Sequence, residues 1–141
     1  DLEPKAFSKL SEILAEDFIE TTEASFVAYG ESAGASPDGL TSNNSNVEIK
    51  CPRRNKFFKL VANGLEVVDP KYIAQMQMQM LSTKTEKSYF INYYLESGLE
   101  YWHEIIVQRD EQMIDLIDKR IIQATDIKLD YIEKINNNAQ W

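Results

Sequence analysis

The stretch that decides the reading begins Ser36-Pro37-Asp38-Gly39-Leu40. It passes through the polar Thr41-Ser42-Asn43-Asn44-Ser45-Asn46 and ends Val47-Glu48-Ile49-Lys50-Cys51-Pro52. Val47 to Cys51 alternates with period two and is stopped by Pro52, which is strand patterning. The Asn- and Ser-rich segment ahead of it suits a hairpin loop, and Ser-Pro-Asp-Gly by itself reads as a turn. Two antiparallel strands flanking such a loop bring Asp38 beside Glu48. Glu48 and Lys50 lie two apart on one strand and share a face. Two carboxylates and an ammonium then converge on one spot. Hard carboxylate oxygens suit Mg²⁺, which takes one or two carboxylates, several waters and a phosphate. A metal so held orients and acidifies a water and neutralises charge on a phosphodiester. Lys50 then holds that water or stabilises the pentavalent oxyanion. Taken alone the pattern is loose, because Asp-Gly turns are common and Glu-x-Lys on a strand is often a solvated same-face pair.

The flanking segments supply a frame. Residues 3–18 read as a helix, with Pro4 in its first turn and Leu10, Ile13, Leu14 and Phe18 at helical spacing. Ser25 to Tyr29 is short, apolar and aromatic, and reads as a strand. Asp69-Pro70 is an N-cap followed by a first-turn proline, which predicts a helix over 70–82. Ser88 to Tyr94 and Trp102 to Val107 read as two more strands around a loop containing Gly98. From Asp110 the apolar positions Met113, Ile114, Ile117, Ile121 and Ile122 recur as on an amphipathic helix, which Asn136-Asn137-Asn138 ends. The expectation is an α/β domain over 1–141 with a central mixed sheet of ~4–5 strands flanked by helices.

Composition excludes several classes. The chain has 141 residues, 43% of them hydrophobic and 27% charged, which is ordinary for a globular protein. Its net charge of −8 argues against a generally basic nucleic-acid binder, so any contact with phosphate must be local. Arg53, Arg54, Lys56 and Lys59 form the one basic cluster, read either as a solvated loop or as a DNA-backbone contact. Cys51 is the single cysteine, so no disulfide framework, zinc ribbon or iron–sulfur cluster is held by this chain alone, and an intracellular setting is expected. No apolar run approaches ~18 residues, so no membrane span is expected. His103, the sole histidine, reads as structural; Met76, Met78 and Met80 read as core packing; Cys51 reads as a small apolar residue.

The longer string S-P-D-G-L…E-I-K-C-P resembles the YqaJ-type viral recombinase, or phage lambda exonuclease, family within the PD-(D/E)XK nuclease superfamily. The resemblance extends through Glu3-Pro4-x-Ala6, Phe58-x-Leu60, Asn63-Gly64-Leu65-Glu66, Tyr72-Ile73-Ala74-Gln75-Met76-Gln77, Asn92-Tyr93 and Val107-x-Arg109-Asp110-Glu111. It implies a restriction-endonuclease-like core and a Mg²⁺-dependent deoxyribonuclease, with Mn²⁺ able to substitute. The implied action is 5′→3′ exonuclease resection of double-stranded DNA in phage-type recombination, in a bacterial cytoplasm. The implied partners are a single-strand annealing protein and further copies of the chain in a homotrimer. On the same basis Asp38, Glu48, the Ile49 carbonyl and Glu3 would hold metal; Lys50 would position or activate the water. Gln75 would orient the site, with Tyr72 and Gln77 bracing it, and Ser36 would lie near a 5′-phosphate. Family members carry an N-terminal segment with an Arg that grips the 5′-phosphate, so residues ahead of Asp1 are expected in the full protein. An endonuclease on the same core and a catalytically silent binding module are the alternatives.

Overall fold

Hydrophobic alternation along Asn46–Lys50 builds strand β5, and the rest of the sheet assembles on it. In the computed structural model, which describes residues 2–14, 21–23 (backbone only) and 26–138, the elements follow in this order. Helices α1 (Glu3–Ser8) and α2 (Leu10–Ile13) come first, then strands β1 (Thr21–Glu23), β2 (Val27–Tyr29), β3 (Ala33–Ala35), β4 (Gly39–Thr41) and β5. Helix α3 (Arg54–Asn63), a 3-10 turn (Gly64–Val67) and helix α4 (Pro70–Thr83) lead to β6 (Lys87–Glu96), β7 (Leu99–Gln108) and the long helix α5 (Glu111–Asn138).

A five-stranded sheet has the order β1-β4-β5-β6-β7, and β2-β3 forms a separate pair. β5 and β6 run parallel, joined by the α3–α4 crossover, while the other neighbouring pairs are antiparallel, so the sheet is mixed. Side-chain alternation sends Val47, Ile49, Tyr89, Ile91 and Tyr93 to one face, where Ala6, Leu10 and Leu14 cover them. Phe90, Ile105 and Val107 point the other way, against Leu60 of α3, Met76 and Met80 of α4 and Ile114 of α5. β6 is buried on both faces, which explains its nearly continuous apolar run. No helix among the described residues is long and apolar enough to cross a membrane.

Several boundaries differ from the sequence reading. The helix expected over 3–18 breaks at Lys9, where the backbone tightens and Ser8 Oγ donates to the Lys5 carbonyl at 2.7 Å, competing with the helical ladder. Residues 15–18 of that helix, and Ser25 of the expected strand, lie outside the described residues. Arg53–Lys59 is not a loop; Arg53 stands at the N-cap position of α3 without a side-chain capping bond, and Phe57 and Leu60 anchor that helix to the core. The Gly98 loop is a two-residue hairpin turn, with φ of 51° at Ser97 and 77° at Gly98. Two successive positive-φ residues match the twist of the flanking strands and let both extend to ten residues.

Gln77 ties the helical layer to the last strand. Its Nε2 donates to the Gln108 carbonyl at 2.9 Å, and its Oε1 accepts from the Asp110 N–H at 2.9 Å. Gln77→Ala leaves both backbone groups without this partner, so a loss of about 2 kcal/mol in urea unfolding is expected.

Candidate active site

β4 and β5 pair only over Gly39–Val47 and Leu40–Asn46, and then they part at Asp38. The Asp38 N–H donates to the Val47 carbonyl at 3.0 Å, and the Ile49 N–H donates to Asp38 Oδ2 at 2.7 Å. The carboxylate thus stands where the next backbone acceptor of β4 would have stood. An extended residue presents its N–H and C=O to the same edge, so the Ile49 carbonyl faces the gap opened beside Asp38. Buried Pro37 sets the chain direction into this splay. Ser-Pro-Asp-Gly therefore opens a strand where the sequence alone reads a turn.

Glu48 projects from β5 toward α4 and is only 2% exposed. Gln79 Nε2 donates to its Oε2 at 2.8 Å; Gln75 Nε2 and Lys50 Nζ both lie 3.3 Å from its Oε1. Gln75 and Gln79 sit four apart on α4, so one helix face presents both amides to the carboxylate. Burial raises the Glu48 pKa, the Gln79 hydrogen bond opposes this, the Asp38 charge adds to it, and Lys50 opposes it. Burial pulls the Lys50 pKa down, but Glu48, Tyr72 and Asp38 together leave it above its usual value. Lys50 is therefore held as an ammonium. Its Nζ lies 4.7 Å from the Tyr72 ring centroid, and Lys56 Nζ lies 5.3 Å from the same ring.

Beside Lys50 opens a cavity of about 340 Å³, lined among others by Glu3, Lys56, Asp69, Tyr72 and Asn92. Glu3 thus stands at its rim, brought there by the first turn of α1. No group of three or more His, Cys, Asp or Glu among the described residues is gathered tightly enough to hold a metal by side chains alone. The donor set still fits a hard divalent ion. Asp38 and Glu48 supply the one or two carboxylates that Mg²⁺ uses alongside water. A buried carboxylate beside a second one, with its pKa raised, is also an environment that a cation relieves.

Of the other sequence candidates, Lys56 reaches this cavity, whereas Arg54 turns toward the β6–β7 hairpin and pairs with Glu96 at 3.7 Å. Arg53 is exposed at the start of α3, and Ser36 is exposed two residues ahead of Asp38. Gln77 faces the end of β7 and the start of α5, where its amide bonds the Gln108 carbonyl and the Asp110 N–H. Arg109 and Asp110 are fasteners: Arg109 donates to the Met80 and Thr85 carbonyls, and Asp110 caps α5. Sequence reasoning missed Gln79. The signal was the spacing of Gln75 and Gln79, hidden in a run that reads as core methionine packing. Asn92, beside Lys50 in register, was also missed as a cavity residue.

Cys51 points away from Lys50, toward the α1 side of the sheet. Burial first, then the charges of Glu3 and Asp38, push its thiol up to about 11. At pH 8 the thiolate fraction is then roughly a hundredfold below that of an ordinary thiol. Alkylation of the folded chain by iodoacetamide should be slowed to match, and unfolding in urea should restore the ordinary rate.

The mixed sheet with its parallel β5–β6 crossover, carrying Asp38, Glu48 and Lys50 at the splayed strands, is the restriction-endonuclease-like architecture. The YqaJ-like viral recombinase domain model matches residues 5–86, and the chain belongs to that family. No curated protein matches the chain. Among solved structures it is similar to an alkaline exonuclease (LHK-Exo) from Laribacter hongkongensis. That match has 27% identity and a TM-score of 0.72, and covers 96% of this chain and 71% of that one. It is likewise similar to LHK-Exo in complex with dAMP, at 26% identity and a TM-score of 0.74, over 96% and 70% of the two chains.

Proposed function

We propose that the chain is a Mg²⁺-dependent exonuclease that degrades double-stranded DNA 5′→3′ and releases mononucleotides. The observation that carries this reading is the clasp of Asp38 on the Ile49 N–H, which sets a carboxylate and an open carbonyl beside Glu48 and Lys50. Membership of the YqaJ family and similarity to an alkaline exonuclease support it.

Asp38, Glu48 and the Ile49 carbonyl would hold the ion, with Glu3 supporting a second one from the rim. When bound, a divalent cation supplies Lewis-acid charge on the phosphate and a more acidic water. Gln79 and Gln75 fix the Glu48 carboxylate, so its oxygens need little reorganisation. Lys50, kept protonated, donates to the attacking water and offsets negative charge as the water oxygen bonds to phosphorus. The bond from phosphorus to the 3′-oxygen breaks, and the proton given up by the water ends, through solvent, on that oxygen. The released nucleotide leaves with a 3′-hydroxyl, and the scissile phosphate stays as the new 5′-phosphate of the shortened strand. Ser36 would meet the terminal phosphate, and Arg53, Arg54 and Lys56 would meet the duplex backbone.

In cells the product strand would pass to a single-strand annealing protein. The chain would act as a homotrimer, an assembly favoured by the exposed Ile127, Leu129, Tyr131 and Ile135 on the far half of α5. Sedimentation of the full-length protein checks this: a trimer is expected, and a monomer at micromolar concentration contradicts it. Arg53→Ala combined with Arg54→Ala should lower the slope of log K against log salt for duplex binding by about 2. An unchanged slope would show that these side chains do not touch phosphate. Incubation with linear and closed-circular duplexes in Mg²⁺ tests the mode of action. Loss of the linear form alone is expected, nicking of the circle would make the chain an endonuclease, and no cleavage of either would make it a binding module.

A further inference from the structure

Four aromatic rings meet where α3 crosses the β6–β7 hairpin. Phe57 stacks on Tyr94 with centroids 5.5 Å apart, and Phe58 packs edge-on to both. Tyr101 joins from β7, 6.0 Å from Tyr94 and 6.5 Å from Phe58. Phe57 is buried and backs the cluster, but Phe58 is 44% exposed and Tyr101 36%. A core needs no such face turned to water.

Charge and position give the face a direction. Arg53 precedes α3 and Arg54, Lys56 and Lys59 lie on its first six residues, in a chain whose net charge is −8. Arg54 is balanced by Glu96 at the hairpin, while Arg53, Lys56 and Lys59 have no ion-pair partner among the described residues. Lys56 shares the Tyr72 ring with Lys50, so the same helix borders the hydrolytic site and carries Phe58. Along β6, Asn92 lines the cavity beside Lys50, and Tyr94 is the next residue on that face. Two strand residues span ~6.6 Å, about two base steps of a strand at ~3.4 Å each. An aromatic face on the helix that also carries the basic cluster, with Arg54 and Glu96 paired at its edge, about two strand residues from the proposed hydrolytic site, matches the chemistry of a nucleobase-stacking surface.

We propose that Phe58, Tyr94 and Tyr101, backed by Phe57, stack the unpaired bases of DNA next to the hydrolytic site. This rests on the nuclease reading, which names DNA as the substrate. The platform holds bases without regard to sequence and keeps a frayed duplex end open beside Lys50.

The test compares binding of a short oligothymidylate with that of an abasic oligonucleotide of equal length, in Ca²⁺. The protein is the full chain and its Phe58→Leu, Tyr101→Leu double variant, which keeps the surface apolar and removes the π faces. The wild type is expected to prefer the base-bearing strand by about tenfold or more. The variant should lose that preference, with unaltered binding of the abasic strand and an unaltered melting temperature. Equal affinities in the wild type, or a preference retained in the variant, would overturn the proposal. So would a variant that changes only the sedimentation of the protein, since the face would then belong to a protein contact. Cleavage of linear duplex in Mg²⁺ is read separately. A chain that cleaves without base preference loses the platform and keeps the nuclease; one that shows the preference without cleavage does the reverse.

Discussion

Asp38→Asn and Glu48→Gln are expected to slow duplex degradation by about 10³-fold or more, since the charge they supply to a bound cation is worth several kcal/mol. The two substitutions separate chemistry from folding. Asp38→Asn keeps an oxygen able to accept the Ile49 N–H, so the splay between β4 and β5 survives while one charge is lost. Glu48 sits between the Gln75 and Gln79 amides at 2% exposure, and replacing it with the neutral Gln removes a buried charge. Unfolding midpoints of both variants should stay near the wild-type value. Lys50→Ala should lose rate to a similar degree and keep cation affinity, because it removes a donor to the water and no ligand. Single-turnover rates on linear duplex, with cation titrations alongside, check all three. Full activity in Asp38→Asn would move the reaction away from these strands.

Removal of divalent cations should have an effect of the same size on turnover and a further one on binding. Glu3 and Asp69 line the cavity, Asp38 and Glu48 add negative charge at the neighbouring strand splay, and Lys50 with Lys56 offsets only part of it. Phosphate is repelled from such a surface until a cation inverts the local charge. Duplex affinity is therefore expected to fall at least about tenfold in EDTA, and Ca²⁺ should restore it without restoring cleavage. The melting temperature should rise on adding Ca²⁺ to the DNA-free chain, by the linkage of binding to folding, and Asp38→Asn should blunt the rise. DNA affinity independent of cations would show that the basic residues of α3 suffice.

Much of this fold is legible because burial imposes a period. β5 alternates, α4 opens on Asp69-Pro70, and α5 carries its apolar stripe from Asp110 onward. The Asp38–Glu48–Lys50 grouping is legible for the same reason, since two-residue spacing fixes the face and a hairpin fixes the neighbour. Other features depend on contacts distant in sequence. Ser-Pro-Asp-Gly has turn chemistry, and only the partner β5 makes Gly39 the start of a strand. The cations of Arg53–Lys59 suggest a loop, but Phe57 and Leu60, three apart, pin the segment to the sheet as a helix. Gln79 reads as one polar residue among methionines, because nothing local reveals that Glu48 from β5 lies beneath it. The break at Lys9 comes from one serine hydroxyl competing for a backbone carbonyl, too small an effect to outweigh a strong helical period on paper.

The most direct test of the account is to follow mononucleotide release from a blunt linear duplex labelled at the 5′ end of one sample and the 3′ end of another. The wild type and Glu48→Gln would be run in Mg²⁺ and in EDTA. Early release of the 5′ label by the wild type in Mg²⁺ is expected, with late release of the 3′ label, and neither in EDTA or with Glu48→Gln. Release of label in EDTA, or undiminished release by Glu48→Gln, would contradict it.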